Sequence, residues 1–181
     1  MFFDVKILSI AFLSIEMIFY PQICLTIAVF LGLKYSKNMS AEILNEDFVD
    51  NGDGTVTSKK HGLMWVKTDS MNDLKKWVNY QESKDYAREL SENKFAGYDD
   101  WRLPNKDEMS TLYHKNLSNT DQFGKTIHIS DRFSSGGGFS MVAQQVPGRM
   151  RTWVLNIRDG EFNHPEGLWT ITEAARAVRK I

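Results

Sequence analysis

Arginine and tryptophan gather in the last third of the chain, at Arg149, Arg151, Trp153, Arg158, His164 and Trp169. Guanidinium groups pair bidentately with carboxylate or sulfate, and aromatic rings stack on the apolar face of a sugar. The set therefore predicts a surface for sulfated or carboxylated sugars. Burial argues the other way, because large aromatics sit in cores on average, and Trp153 reads first as a core residue on a solvated strand. Trp169 lies in Gly167-Leu168-Trp169-Thr170, between turns, and is more open to a surface role.

Other residue types that do chemistry are present without the spacing that chemistry requires. Asp50-Asn51-Gly52-Asp53-Gly54 suggests calcium, but the EF-hand register with Gly54 at the sixth position puts Val49 first and Lys60 twelfth. An irregular calcium site on Asp50 and Asp53 stays open beside a tight turn built on glycine and Asx chemistry. No other cofactor is expected. His61, His114, His128 and His164 lack the spacing of a zinc site and read as surface residues. Ser134-Ser135-Gly136-Gly137-Gly138 lacks the Lys-Ser/Thr pair of a phosphate loop and reads as a flexible linker. A Gly-x-Ser-x-Gly elbow is absent. Asp99 and Asp100 are adjacent and point apart on extended chain, which suits a turn cap and an ion pair better than a facing acid pair. The only cysteine, Cys24, lies in the N-terminal segment, so an intramolecular disulfide and a cysteine nucleophile in the folded domain are excluded. These absences predict a protein that is not an enzyme. A formal net charge of −1, with no basic run, gives no electrostatic case for nucleic acid.

The elements that would position these residues follow from local signals. Phe48 to Lys67 reads as short strands joined by turns, and Leu63, Trp65, Met64 and Val66 predict a strand buried on both faces. Asn79 and Glu82 form a capping box for a helix to about Asn93. Trp101 and Leu103 share one face of an extended segment and Arg102 points away, towards solvent or a carboxylate partner. Pro104 keeps that segment extended, and Asn105 with Glu108 caps a second helix that fades near Lys115. Residues 116–148 are long, polar and glycine-rich, the profile of a functional or disordered loop. Thr152 to Ile157 and Glu161-Phe162 predict a hairpin turning at Asp159-Gly160, and Ala174 to Arg179 a final strand.

The amino end is of another kind. Residues 1–35 predict a membrane anchor or signal peptide, with the apolar stretch over 5–33, and residues 36–47 a polar linker. As a helix rising about 1.5 Å per residue, Met17 to Leu33 reaches the short end of a bilayer span. Met39 stands at the −3 position for a cut after Ala41, where a small residue is wanted. Lys34 and Lys37 mildly favour a cytoplasmic following segment. The segment predicts a membrane-anchored or secreted protein, with the extracytoplasmic side favoured for residues 48–181.

Three ordered motifs then carry a resemblance. These are Phe48-Val49-Asp50-Asn51-Gly52-Asp53-Gly54-Thr55-Val56-Thr57 with Gly62-Leu63-Met64-Trp65; Tyr98-Asp99-Asp100-Trp101-Arg102-Leu103-Pro104 with Glu108 and Leu112; and Trp153 to Gly160 with Arg176-Ala177-Val178-Arg179. The chain resembles the Lcl C-terminal domain family, the module that ends the Legionella collagen-like protein. Trp65, Trp101, Arg102, Leu103 and Pro104 are its structural motif residues here. The resemblance implies an α+β fold similar to C-type lectins and formylglycine-generating enzymes, with two helices and short antiparallel strands after an N-terminal hydrophobic helix. It implies export and no known reaction. Formylglycine-generating enzymes work through active-site cysteines, which this domain lacks. Many relatives carry a cysteine pair where this chain has Ala87 and Ala177, which suggests that the two positions face each other, although each also reads as an ordinary small residue. The expected partner is a glycan or, on the second reading, a membrane protein to which the chain is an accessory subunit.

Overall fold

The computed structural model describes residues 42–167 and 173–181. The expected membrane element, half of the linker and Trp169 lie outside the described residues. Among the described residues, no helix is long and apolar enough to cross a membrane.

The fold is α+β, with antiparallel sheets and short helices. The first sheet has the order β1 (Phe48–Asp50), β2 (Thr55–Ser58), β3 (Leu63–Val66) and β9 (Val178–Lys180), all antiparallel. A second pairs β4 (Asn119–Thr120) with β5 (Thr126–Ile127), and a third holds β6 (Ser140–Gln145), β7 (Thr152–Asn156) and β8 (Phe162–Asn163). Among the described residues, the helices α1 (Ser70–Leu74), α2 (Tyr80–Glu92) and α3 (Lys106–Ser110), with a short 3-10 turn at Phe95–Gly97, complete the framework.

Every residue of β3 is buried, as its doubly apolar pattern predicts. Side chains alternate across a strand. Leu63 and Trp65 accordingly enter one core cluster, with Met109, Phe133 and Leu155, and Met64 and Val66 enter a second, with Tyr86, Trp101 and Leu103. The same partition recurs where Met141 and Ala143 face the first cluster and Val142 the second. It recurs again at the end, where Ala174 and Val178 join the first while Ala175 and Ala177 join the second. The carboxyl-terminal segment thus forms part of the wall between two cores. Ala87 belongs to the second core as well, so the two alanines at the family's cysteine positions share one apolar cluster.

Both predicted capping boxes are present. Asn79 accepts from Glu82 N and Asn105 from Glu108 N, each with the reciprocal glutamate contact. The second helix is shorter than predicted, ending at Ser110 rather than near Lys115, because the Thr111 and Ser110 hydroxyls bond back to the Glu108 and Asp107 carbonyls. An unpredicted helix, α1, begins at Asp69 with a capping box closed by Asn72.

Residues 116–148 are not a structureless loop. They contribute β4, β5 and β6 and bury Leu117, Ile127, Ile129, Phe133 and Met141. Nor is the glycine run a flexible linker. Gly136 N donates to the Thr120 carbonyl, Gln122 N to the Gly137 carbonyl, and Gly138 N to Asp69 Oδ2 at 3.0 Å. A Cβ on Gly138 would overlap the Ala174 methyl, so the glycine there serves close packing. The connector is also partly structured. Residues 42–45 form a helical turn, Leu44 packs on the first core, and Asn45 accepts from the Ser130 hydroxyl.

Candidate functional site

The hairpin of β7 and β8 turns at Gly160, whose φ of 84° suits glycine. It sets Trp153 against Phe162, edge to face. Trp153 is half-buried, between the core and surface readings of the sequence. His164 stacks on the indole with centroids 5.1 Å apart and planes 14° from parallel. Lys106, in the first turn of α3, brings its ammonium to 4.0 Å from the Trp153 centroid and 5.4 Å from that of Phe162. An ammonium over an aromatic face is held by the ring quadrupole and stays hydrated on its outer side. Arg151, on the same hairpin, pairs with the exposed Glu166, and Arg149 is exposed at the β6–β7 turn with no ion pair to a described residue. The hairpin region thus sets one cation, Lys106, over a cluster of Trp153, Phe162 and His164, with Arg149 and Arg151 in the chain just before Trp153.

Arg158 does not belong to this surface. It bonds to Asp121 through Nε at 2.8 Å and through its terminal nitrogen, and its guanidinium lies 3.7 Å from the Phe139 centroid. The Asp121 side chain is fully buried, and its other oxygen accepts from Phe123 N and Lys125 N. Burial pushes the Asp121 carboxyl up, but these amides and Arg158 together hold it below the ordinary carboxylate range. Arg158 closes the β4–β5 turn. Trp169, the remaining predicted member, lies outside the described residues.

Asp50 and Asp53 take the turn role. Asp50 accepts from Gly52 N and pairs with Lys67 Nζ at 2.5 Å, while Asp53 accepts from Thr55 N and its hydroxyl. Among the described residues, no group of three or more His, Cys, Asp or Glu side chains gathers to hold a metal.

The Trp101–Pro104 segment leads into the Asn105 cap of α3. Trp101 is 4% exposed, and its indole N–H donates to the Phe95 carbonyl. Arg102 finds the predicted carboxylate in Glu108, with two parallel bonds of 2.7 Å. Arg102 foremost holds the Glu108 carboxyl below its usual range. Asp100 pairs with Arg179 at 2.7 Å, and the Arg179 guanidinium lies 3.9 Å from the Tyr98 centroid. The central motif and the closing motif of the sequence therefore meet here, with Arg102 N and Val178 N exchanging bonds across a bridge.

The match to the Lcl C-terminal domain family runs over residues 54–179, well over half of the chain. The chain belongs to that family. No curated protein matches it. The match takes in all three motifs except the residues before Gly54. In this Lcl C-terminal domain the motif residues Trp65, Trp101, Leu103 and Pro104 are buried, which makes them scaffold, and Arg102 links them to α3.

Sequence reasoning missed two pairs inside this Lcl C-terminal domain. Lys106 carries no local signal, because only the tertiary approach of α3 to β7 brings it over Trp153. Arg176 is wholly buried, donates to the Val66, Lys67 and Thr68 carbonyls and pairs with Asp69, itself fully buried. Its signal was an arginine among the alanines of Ala174-Ala175-Arg176-Ala177, where an exposed strand would alternate.

Proposed function

We propose that the domain is a non-enzymatic recognition module, exported or membrane-tethered, that binds anionic glycans or surface polymers at the Trp153 hairpin. The observation that carries this reading is Trp153 with His164 stacked on it and Phe162 edge-on, with Lys106 over the indole and Arg149 and Arg151 in the chain just before it. Among the described residues Arg151 pairs with a largely exposed glutamate, and such surface pairs are worth at most about 1 kcal/mol, so a sulfate could take the guanidinium at little cost. Binding is favoured over catalysis by how the histidines are used. His128 Nδ1 donates to the Leu117 carbonyl, His114 accepts from Asn116 N, and His164 is spent in stacking.

A second reading, an accessory subunit docked on a membrane-protein partner, draws on a different patch. Phe123 is 64% exposed and packs on Phe139, which Trp77 meets edge to face. An exposed aromatic backed by two half-buried ones can mark a protein contact.

The test is a glycan array with the purified full chain in detergent, run with calcium and with chelator. The expected result is saturable binding to sulfated or carboxylated glycans that Arg149→Ala/Arg151→Ala and Trp153→Ala each weaken about tenfold or more. A blank array from folded protein rejects the glycan reading, and co-purification of a membrane protein at fixed stoichiometry then supports the second. Loss of binding under chelation would assign calcium to Asp50 and Asp53.

A further inference from the structure

A cleft of about 350 Å³ opens between α2 and the Trp101–Leu103 segment, and neither Trp153 nor Lys106 lines it. Its floor is Tyr80, Ala87, Trp101 and Leu103, and its rim carries Lys84, Arg88 and Arg102. No carboxylate lines it, although the chain as a whole is slightly acidic. We propose that this cleft binds a small amphipathic anion, an apolar ring or chain that ends in a carboxylate.

The three cations differ in how firmly they are held, and the difference makes a site. Arg102 is fixed by its bidentate bond to Glu108 and by a bond to the Leu103 carbonyl. These use three of its five N–H groups, so donors remain at a rigid position. Arg88 is 59% exposed and divided between Asp85 at 2.9 Å and Glu92 at 3.4 Å, both exchangeable surface contacts. Lys84 has no ion pair among the described residues, and its ammonium lies 5.4 Å from the Tyr80 centroid, over the cleft wall. A carboxylate entering between Lys84 and Arg102 therefore displaces no strong internal partner.

The floor decides the rest of the ligand. An apolar, aromatic base under a cationic rim gains from a ligand that carries hydrophobic surface behind its charge, which a bare inorganic anion does not. The volume is at the small end for ligand sites, enough for a single ring system and too small for a polymer chain or a folded partner's face. The Gln144 side chain, tied to the Leu103 carbonyl at 2.8 Å, holds this part of the lining in place. None of this depends on the Trp153 surface, so the two proposals fail separately.

The experiment is calorimetric titration of the full chain in detergent with 2-naphthoate, against a micelle blank. 2-Naphthamide and acetate probe the charge and the ring separately, and sulfate serves as a competitor. Expected is saturable binding of naphthoate, weakened at least about tenfold in Lys84→Ala/Arg88→Ala and unchanged in Trp153→Ala. Lys84 and Arg88 are exposed on a helix where alanine is well tolerated, so the double variant keeps its fold, which near-UV circular dichroism checks. Lys84→Gln should lose affinity as well, which isolates the charge. The assignment is overturned by the absence of saturable heat, by equal binding of the neutral amide, by full competition from sulfate, or by an undiminished affinity in the double variant.

Discussion

Asp69 joins three parts of the chain through one carboxylate. Oδ1 accepts from Asn72 N to begin α1, while Oδ2 accepts from Gly138 N and faces Arg176 at 3.2 Å. Burial works against the Arg176 charge, and Asp69 is the group nearest to it that opposes this. Breaking a buried pair from one side leaves the other charge uncompensated, at a cost of about 3–5 kcal/mol. Asp69→Asn retains a side-chain oxygen for the cap and removes the charge, and it should lower stability by about that amount in urea unfolding. A loss under about 1 kcal/mol would mean that the three carbonyls alone carry Arg176. Arg176→Met together with Asp69→Asn should recover part of the loss, since removing both charges leaves no orphan charge. At this scale the sequence was legible where partners are near. Arg102 was expected to meet a carboxylate and does so six residues on, at Glu108. Arg176 and Asp69 are 107 residues apart, and although an arginine among alanines hints at burial, nothing local names its partner.

Elements were legible in proportion to how local their signals are. The boxes at Asn79/Glu82 and Asn105/Glu108 use the glutamate that marks such a cap, whereas Asp69/Asn72 closes the same box with an amide and so passed unread. The strands of residues 119–127 are two residues long and give no periodicity to read. The glycine run was misjudged for a related reason, because composition speaks of freedom and only the fold supplies the neighbour. That neighbour is Ala174, and it makes a prediction. Gly138 does not have a positive φ, so Gly138→Ala is opposed by sterics alone and should cost about 1–3 kcal/mol. Ala174→Gly in the same chain should return much of this, a coupling that a double-mutant cycle in urea reads directly. Additive losses would place the strain elsewhere, for instance at Trp77, whose ring is the next atom a new methyl would meet. Ala87 and Ala177 allow a similar test. Both are buried in one cluster, and cysteines at both positions should cross-link on oxidation and raise stability by about 2–4 kcal/mol. Two free thiols after oxidation, counted by mass spectrometry on denatured protein, would show that they do not face each other.

Across the whole molecule, the carboxylates set a stability profile with opposing parts. Glu108, held down first by Arg102, and Asp121, held down by amides and Arg158 against its burial, both titrate below their usual range when folded. For such groups the unfolded chain binds protons more readily, so their contribution is present above the ordinary carboxylate range and is lost as pH falls through the folded values, below about pH 4. Glu173 has the opposite sign. Burial raises its carboxyl above the usual range, and the hydroxyl of Ser140 only partly offsets this. The folded chain then binds that proton more readily, so acidification towards the ordinary value relieves a burden that is fully present at neutral pH. Between pH 7 and pH 5 Glu173 should therefore add stability on acidification, while His114, whose imidazole burial holds below its ordinary range, should remove some, and below about pH 4 the fall should be steep. The two limbs separate by substitution. Glu173→Gln should raise the urea midpoint at pH 7 and remove its rising share of the upper limb, since a neutral amide fills the place of the acid. Glu108→Gln should lower the midpoint at pH 7 and shrink the acid limb, because Arg102 loses its ion pair while the cap can survive. An upper limb unchanged by Glu173→Gln would locate the rise in another group. An acid limb of full size in Glu108→Gln would move that limb to the other carboxylates held low, Asp121 beside Arg158, Asp50 beside Lys67 and Glu82 beside Lys76, and away from the motif that joins α3 to the cleft.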